Sequence, residues 1–145
     1  MANSYCGLMY AASVDAETIS ALARDGVDAH AESIGYHAQQ LAEKMVKAAF
    51  ESKEVDFPFT HNIRLLLKKA EQEELLSEPS EETIESALYL SSLISVTRYA
   101  EAPDFQEGEA RRAVAASNAI AAFLKENGYD AIKVELGDES ALEKE

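Results

Sequence analysis

Tyr36-His-Ala-Gln-Gln-Leu-Ala-Glu-Lys-Met-Val-Lys-Ala48 reads as one amphipathic helix with an unusual border. Wound at the helical period, it places Ile34, Ala38, Leu41, Ala42, Met45 and Ala49 on a packing face. Beside that face, His37, Gln40, Lys44 and Lys47 fall in a stripe at offsets of three, four and three. A core-facing helix ordinarily keeps its cations on the far side. A protonatable, amide and ammonium row next to the packed face instead lines a groove between helices, and its chemistry suits an anion such as a phosphate.

Helical signals continue on both sides of this segment. A first helix is expected over roughly Ser4 to Arg24, stopped at Asp25-Gly26 because Gly tolerates the left-handed conformation of a helix end. Asp28 is the expected N-cap of the second helix, which runs to about Ser52. Val55 to Phe59 is a loop fixed by Pro58. Thr60 then caps a third helix from His61 to about Leu76, with Ile63, Leu66, Leu67 and Ala70 on its apolar face. Ser80 follows Pro79 and caps a fourth helix to about Tyr99, with Glu81 and Glu82 suited to its positive end. Its residues Ile84, Leu88, Leu90, Leu93, Ile94 and Val96 are spread around the circumference, which predicts a largely buried central helix. Asp104 and Glu107 have capping-box spacing for a fifth helix, packed through Ala110, Ala113, Val114, Ser117, Ala121 and Leu124 and ended by Asn127-Gly128. The division expected is a helical bundle over residues 1–128 and an acidic tail over 129–145. That tail, with alternating Ile132, Val134 and Leu136, reads as a short extended arm or as disordered chain.

Composition agrees with an all-α chain of 145 residues: only six Gly and three Pro interrupt an Ala-, Leu-, Glu- and Lys-rich sequence. The formal net charge of −14 argues against a general nucleic-acid binder, because that field repels polyanions. Any nucleotide or RNA contact has to use a local basic patch. The single cysteine, Cys6, excludes an internal disulfide and has no basic neighbour to activate it. With no leader-like amino terminus and no apolar run near the roughly 18 residues of a membrane span, a cytoplasmic protein without membrane contact is expected. His30, His37 and His61 match no metal-ligand spacing, and no Gly-rich phosphate loop is present, so neither a metal nor a cofactor is expected.

The residues Tyr36-His37-Ala38-Gln39-Gln40, Glu43-Lys44 and Lys47-Ala48, followed by Thr60-His61-Asn62-Ile63 and Leu65-Leu66-Leu67, resemble the HEPN family of small helical domains. Thr97-Arg98-Tyr99 is similar to the aromatic-basic end of that family's fourth helix. The resemblance spans about Tyr10 to Gly128. It implies an up-and-down bundle of four or five helices, usually a homodimer. It also implies nucleotide binding and a partnership with a minimal nucleotidyltransferase, in some members as a toxin–antitoxin pair. Ribonuclease members carry Arg, four to six residues, then His near the start of the final helix. Here no His follows Arg98, Arg111 or Arg112 in that window; Ser117 and Asn118 stand after Arg112 instead. Neither supplies the near-neutral proton transfer that RNA cleavage uses. Arg24 and His30 have the spacing but flank Gly26, at a different place in the fold.

The ligand-binding candidates are therefore His37, Gln40, Lys44, Lys47, His61, Arg64, Arg98 and Tyr99, and no catalytic residue is assigned. His37 reads equally as a packed histidine, and Lys47 as a solvated lysine with Glu51 one turn on. His61, Arg64 and Lys68 share a stripe at the start of the third helix, where free amides favour an anion. Arg98 reads alternatively as a partner of the last helical carbonyls. Arg111 and Asn118, seven apart, face either one cleft or solvent. The expected function is recognition of a nucleotide or phosphate ligand, or of a nucleotidyltransferase partner. A ribonuclease and a docking module dimerised through Ser91, Ser92, Ser95, Ala115, Ala119 and Ala122 are the alternatives.

Overall fold

The computed structural model describes residues 7–98 and 105–137, with the backbone alone for 95–98. Among these the chain forms five helices: α1 (Gly7–Asp25), α2 (Ala31–Ser52), α3 (Ile63–Gln72), α4 (Glu81–Arg98) and α5 (Glu107–Glu126). They make an all-α bundle. None is long and apolar enough to cross a membrane.

The central element is α2, not α4. Four helices pack on α2, and its buried residues run from Ala31 through Ile34, Ala38, Leu41, Met45 and Val46 to Phe50. Only a narrow strip of it, carrying Tyr36, His37, Gln40, Lys44 and Lys47, is half-exposed. The apolar circumference of α4 has a different explanation. Thr83, Ala87, Leu90 and Leu93 face the core, whereas Leu88 is 53% exposed and Ile84 half-exposed. Apolar residues on a helix surface are common enough that composition alone does not establish burial.

Several boundaries follow local chemistry that the sequence only partly reveals. Glu51 accepts a hydrogen bond from the Leu8 amide at 3.1 Å and so caps α1 from the far end of α2. It is thus not the partner of Lys47. At the start of α2, His30 rather than Asp28 occupies the cap position, and it makes no side-chain capping bond. Asn62, rather than Thr60, caps α3, accepting from the Leu65 amide at 3.1 Å. That helix stops at Gln72, where Glu74 turns left-handed (φ 61°) and Leu75 N–H bonds back to the Ala70 carbonyl. Ser80 caps α4 through the Thr83 amide. The capping box of α5 is Gln106 with Glu109. Asp104, expected in that role, lies outside the described residues.

After α5 the chain does not leave the bundle at once. Tyr129 donates to the Leu75 carbonyl at 2.8 Å, and Ala131 and Val134 are buried. The amide of Asn118 brackets Val134, donating to its carbonyl at 2.8 Å and accepting from its N–H at 2.9 Å. Arg111 reaches the Gly137 carbonyl at 3.1 Å. The stripe formed by Arg111 and Asn118 therefore holds this extended arm. Replacing Asn118 with Ala removes both bracket bonds, a local cost of about 1–3 kcal/mol. Amide exchange of residues 129–137 is expected to accelerate more than that of α2; equal protection in variant and wild type would contradict the bracket.

Candidate polar groove on the central helix

Helices α1 and α3 each pack on α2 but not on one another. The half-exposed strip of α2 left between them, the candidate groove, carries the side chains of the sequence stripe. Two buried carboxylates organise it. Asp15 of α1 accepts from His37 Nδ1 at 2.8 Å and from Lys44 Nζ at 2.7 Å, using one oxygen for each. Glu43 of α2 accepts through one oxygen from Lys47 Nζ at 2.8 Å and from His61 Nδ1 at 2.9 Å. Its other oxygen accepts from Gln39 at 2.8 Å, and Gln40 donates to Gln39, also at 2.8 Å.

Burial divides the network into a fixed interior and an accessible edge. The side chains of Asp15 and Glu43 are 7% and 5% exposed, whereas His37, Lys44 and His61 are 27%, 28% and 49% exposed. Lys47 is the most enclosed cation, at 13%, and lies 5.3 Å from the centre of the Phe57 ring. Tyr36 sets its ring edge-on to His37. Burial alone would push the Glu43 carboxyl up. Donation by Lys47, His61 and Gln39 outweighs that and holds it below the usual carboxylate value.

The structure thus gathers His37, Gln40, Lys44, Lys47 and His61. It does not draw the other candidates into the network. Arg64 is half-buried on α3, with Nη1 enclosed and lacking a hydrogen bond. Lys68 is exposed. The expected amide anion site at the start of α3 is already used: Ile63 N–H bonds to the Ser91 hydroxyl at 3.1 Å and Leu65 N–H to Asn62. The Arg98 side chain and Tyr99 lie outside the described residues. His30 is held by Asp25 at 2.6 Å at the α1–α2 junction, away from the groove.

Asp15 and Glu43 are the functional residues that sequence reasoning missed. Asp15 had one available signal, its position in the register of Ala12, Ala16 and Ile19. An acid on the apolar side of a helix requires a cation from a neighbour. A separate cavity of about 730 Å³, bordered by Arg24, Asp28, Glu107, Arg111 and Glu135, lies where the arm passes the α1–α2 junction. It shares no residue with the groove.

The residues that carry the resemblance in sequence are those joined here. They form two bonded sets, Asp15 of α1 with His37 and Lys44, and Glu43 with Gln39, Gln40, Lys47 and His61. No curated protein and no solved structure gives a significant match. The HEPN domain family model matches residues 7–127, nearly the whole described bundle. With that match over most of its length, the chain belongs to the HEPN domain family.

Proposed function

We propose that the chain is a recognition module that takes the phosphate end of a nucleotide in the groove between α1 and α3. One observation carries this reading. The half-exposed strip of the most buried helix presents one imidazole, an amide and two ammonium groups, with the His61 imidazole beside it before α3, each held by a hydrogen bond within the fold. Pre-set donors of this kind bind phosphate oxygens through charge-assisted hydrogen bonds without an ordering cost at binding. The nucleotidyltransferase partner and the homodimer implied by the family belong to the same proposal. The exposed faces of Ala115 and Ala122 on α5 remain available for the latter, whereas Ser91 is committed to α3.

The ribonuclease alternative has less support. The pair with the required spacing, Arg24 and His30, sits at the α1–α2 junction, where Asp25 engages His30.

Calorimetric titration with AMP, ATP and short RNA at low salt tests the proposal. Dissociation constants between about 1 μM and 1 mM are expected. Lys44→Ala should weaken binding by about 10-fold or more, since a charge-assisted bond contributes roughly 1.5–3 kcal/mol and Asp15 is left without its cation. Absence of heat with all three ligands, on folded wild-type protein, rejects the reading.

A further inference from the structure

The charge balance of the groove sets a condition on the ligand. Lys44 and Lys47 are each paired with a carboxylate, Asp15 and Glu43. With neutral imidazoles these four groups cancel, and the groove offers an anion little net attraction. The imidazoles add a second constraint. His37 and His61 both direct Nδ1 at a carboxylate. A neutral ring that donates from Nδ1 has only a lone pair at Nε2, which repels a phosphate oxygen. Protonation turns Nε2 into a donor and leaves Nδ1 on its carboxylate, which stabilises the imidazolium.

We propose that the groove binds the dianionic end of a phosphate monoester with uptake of protons on His37 and His61. This rests on the phosphate-recognition reading and specifies its ligand. Two imidazoliums give the groove a net charge of two, matched by a monoester dianion and not by a diester, which carries one charge per phosphate. The groups that face His37 are Asp15 and, through Asp15, Lys44, with the Tyr36 ring at its edge. Those that face His61 are Glu43 and, through it, Lys47 and Gln39. Among the described residues, α4 adds only the uncharged Ser91 hydroxyl beside the start of α3, and Arg64 makes no bond to either imidazole.

The pH dependence then has two limbs. On the alkaline limb affinity falls as pH rises, because each proton taken up on binding comes from a more dilute supply, by up to about tenfold per unit for each proton. Below about pH 6 it falls again as the phosphate itself takes up a proton. AMP is the probe, titrated near pH 7.5 in two buffers of different ionisation enthalpy. Between one and two protons should be taken up per AMP bound. His61→Gln should reduce that number by about one; His37→Gln, a second and independent variant, should do the same. A dinucleotide diester should bind at least tenfold more weakly than AMP. AMP binding with no proton uptake, or equal affinity for monoester and diester, overturns the inference while leaving phosphate recognition intact. No binding by AMP, diester or inorganic phosphate overturns both. Circular dichroism of each variant separates loss of binding from loss of fold.

Discussion

Replacing Glu43 with Gln is expected to lower the melting temperature by about 10 °C near neutral pH. Gln keeps the shape of Glu and one carbonyl acceptor, so packing is little changed. What disappears is the counter-charge. Lys47, only 13% exposed, is left as an uncompensated cation against the Phe57 ring, and His61 and Gln39 lose their shared anchor. Removing one member of a buried ion pair costs about 3–5 kcal/mol. In a chain of this size each kcal/mol shifts the midpoint by roughly 2–4 °C.

The pH dependence follows from the same group. The folded state holds the Glu43 carboxyl below its ordinary value: burial acts upward, and hydrogen bonding to Lys47, His61 and Gln39 acts downward more strongly. A carboxyl depressed on folding contributes stability that is fully present above its unfolded value, about pH 4, and is lost as pH falls through its folded value. The gap between wild type and Glu43→Gln should therefore be widest near neutrality and close in acid. Melting curves that stay separated by the same amount down to about pH 3, below the unfolded value, would show that Glu43 is not the titrating link.

That network also shows what a single sequence reveals and what it conceals. Apolar periodicity gave the α3 face correctly: Ile63, Leu66, Leu67 and Ala70 are all buried. The α5 face fared as well, from Ala110 to Leu124. Strong short-range stops such as Gly26 (φ 137°) and Gly128 (φ 87°) were legible because their conformation is local. The central helix was misassigned. Its identity depends on how many neighbours pack on it, and α2 advertises polar residues that face inward. Gln39 and Glu43 are 2% and 4% exposed, and on a helix wheel they look like solvent residues. Their burial is affordable only because hydrogen-bond donors arrive from α2 itself and from the segment before α3, some twenty positions away. Pairing of this kind is a tertiary event with no local signature. Likewise the stripe of His37, Gln40, Lys44 and Lys47 was readable, but the carboxylates that neutralise it were not. The sequence thus suggested a more positive groove than the fold provides.

Gly35 provides the last and most discriminating expectation, because its effect reverses sign with its neighbour. Phe105, 9% exposed, leads the chain into α5 and lays its ring directly over α2 at this glycine. A methyl group at Gly35 would lie 2.4 Å from Phe105 Cζ and 2.6 Å from Cε1. Helix propensity alone favours Ala over Gly by about 1 kcal/mol in mid-helix. Overpacking against an enclosed ring costs about 1–3 kcal/mol, so Gly35→Ala should be net destabilising. Phe105→Ala removes the ring and should cost about 3 kcal/mol, near the lower end for a buried Phe. Once it is gone, the clash is gone, and adding Gly35→Ala should stabilise the variant by up to about 1 kcal/mol. Urea unfolding of the two single variants and the double variant measures that coupling, which contacting residues show and distant ones do not. Additive effects would mean that Phe105 does not rest on Gly35, and the seating of α5 against the groove-bearing helix would have to be redrawn.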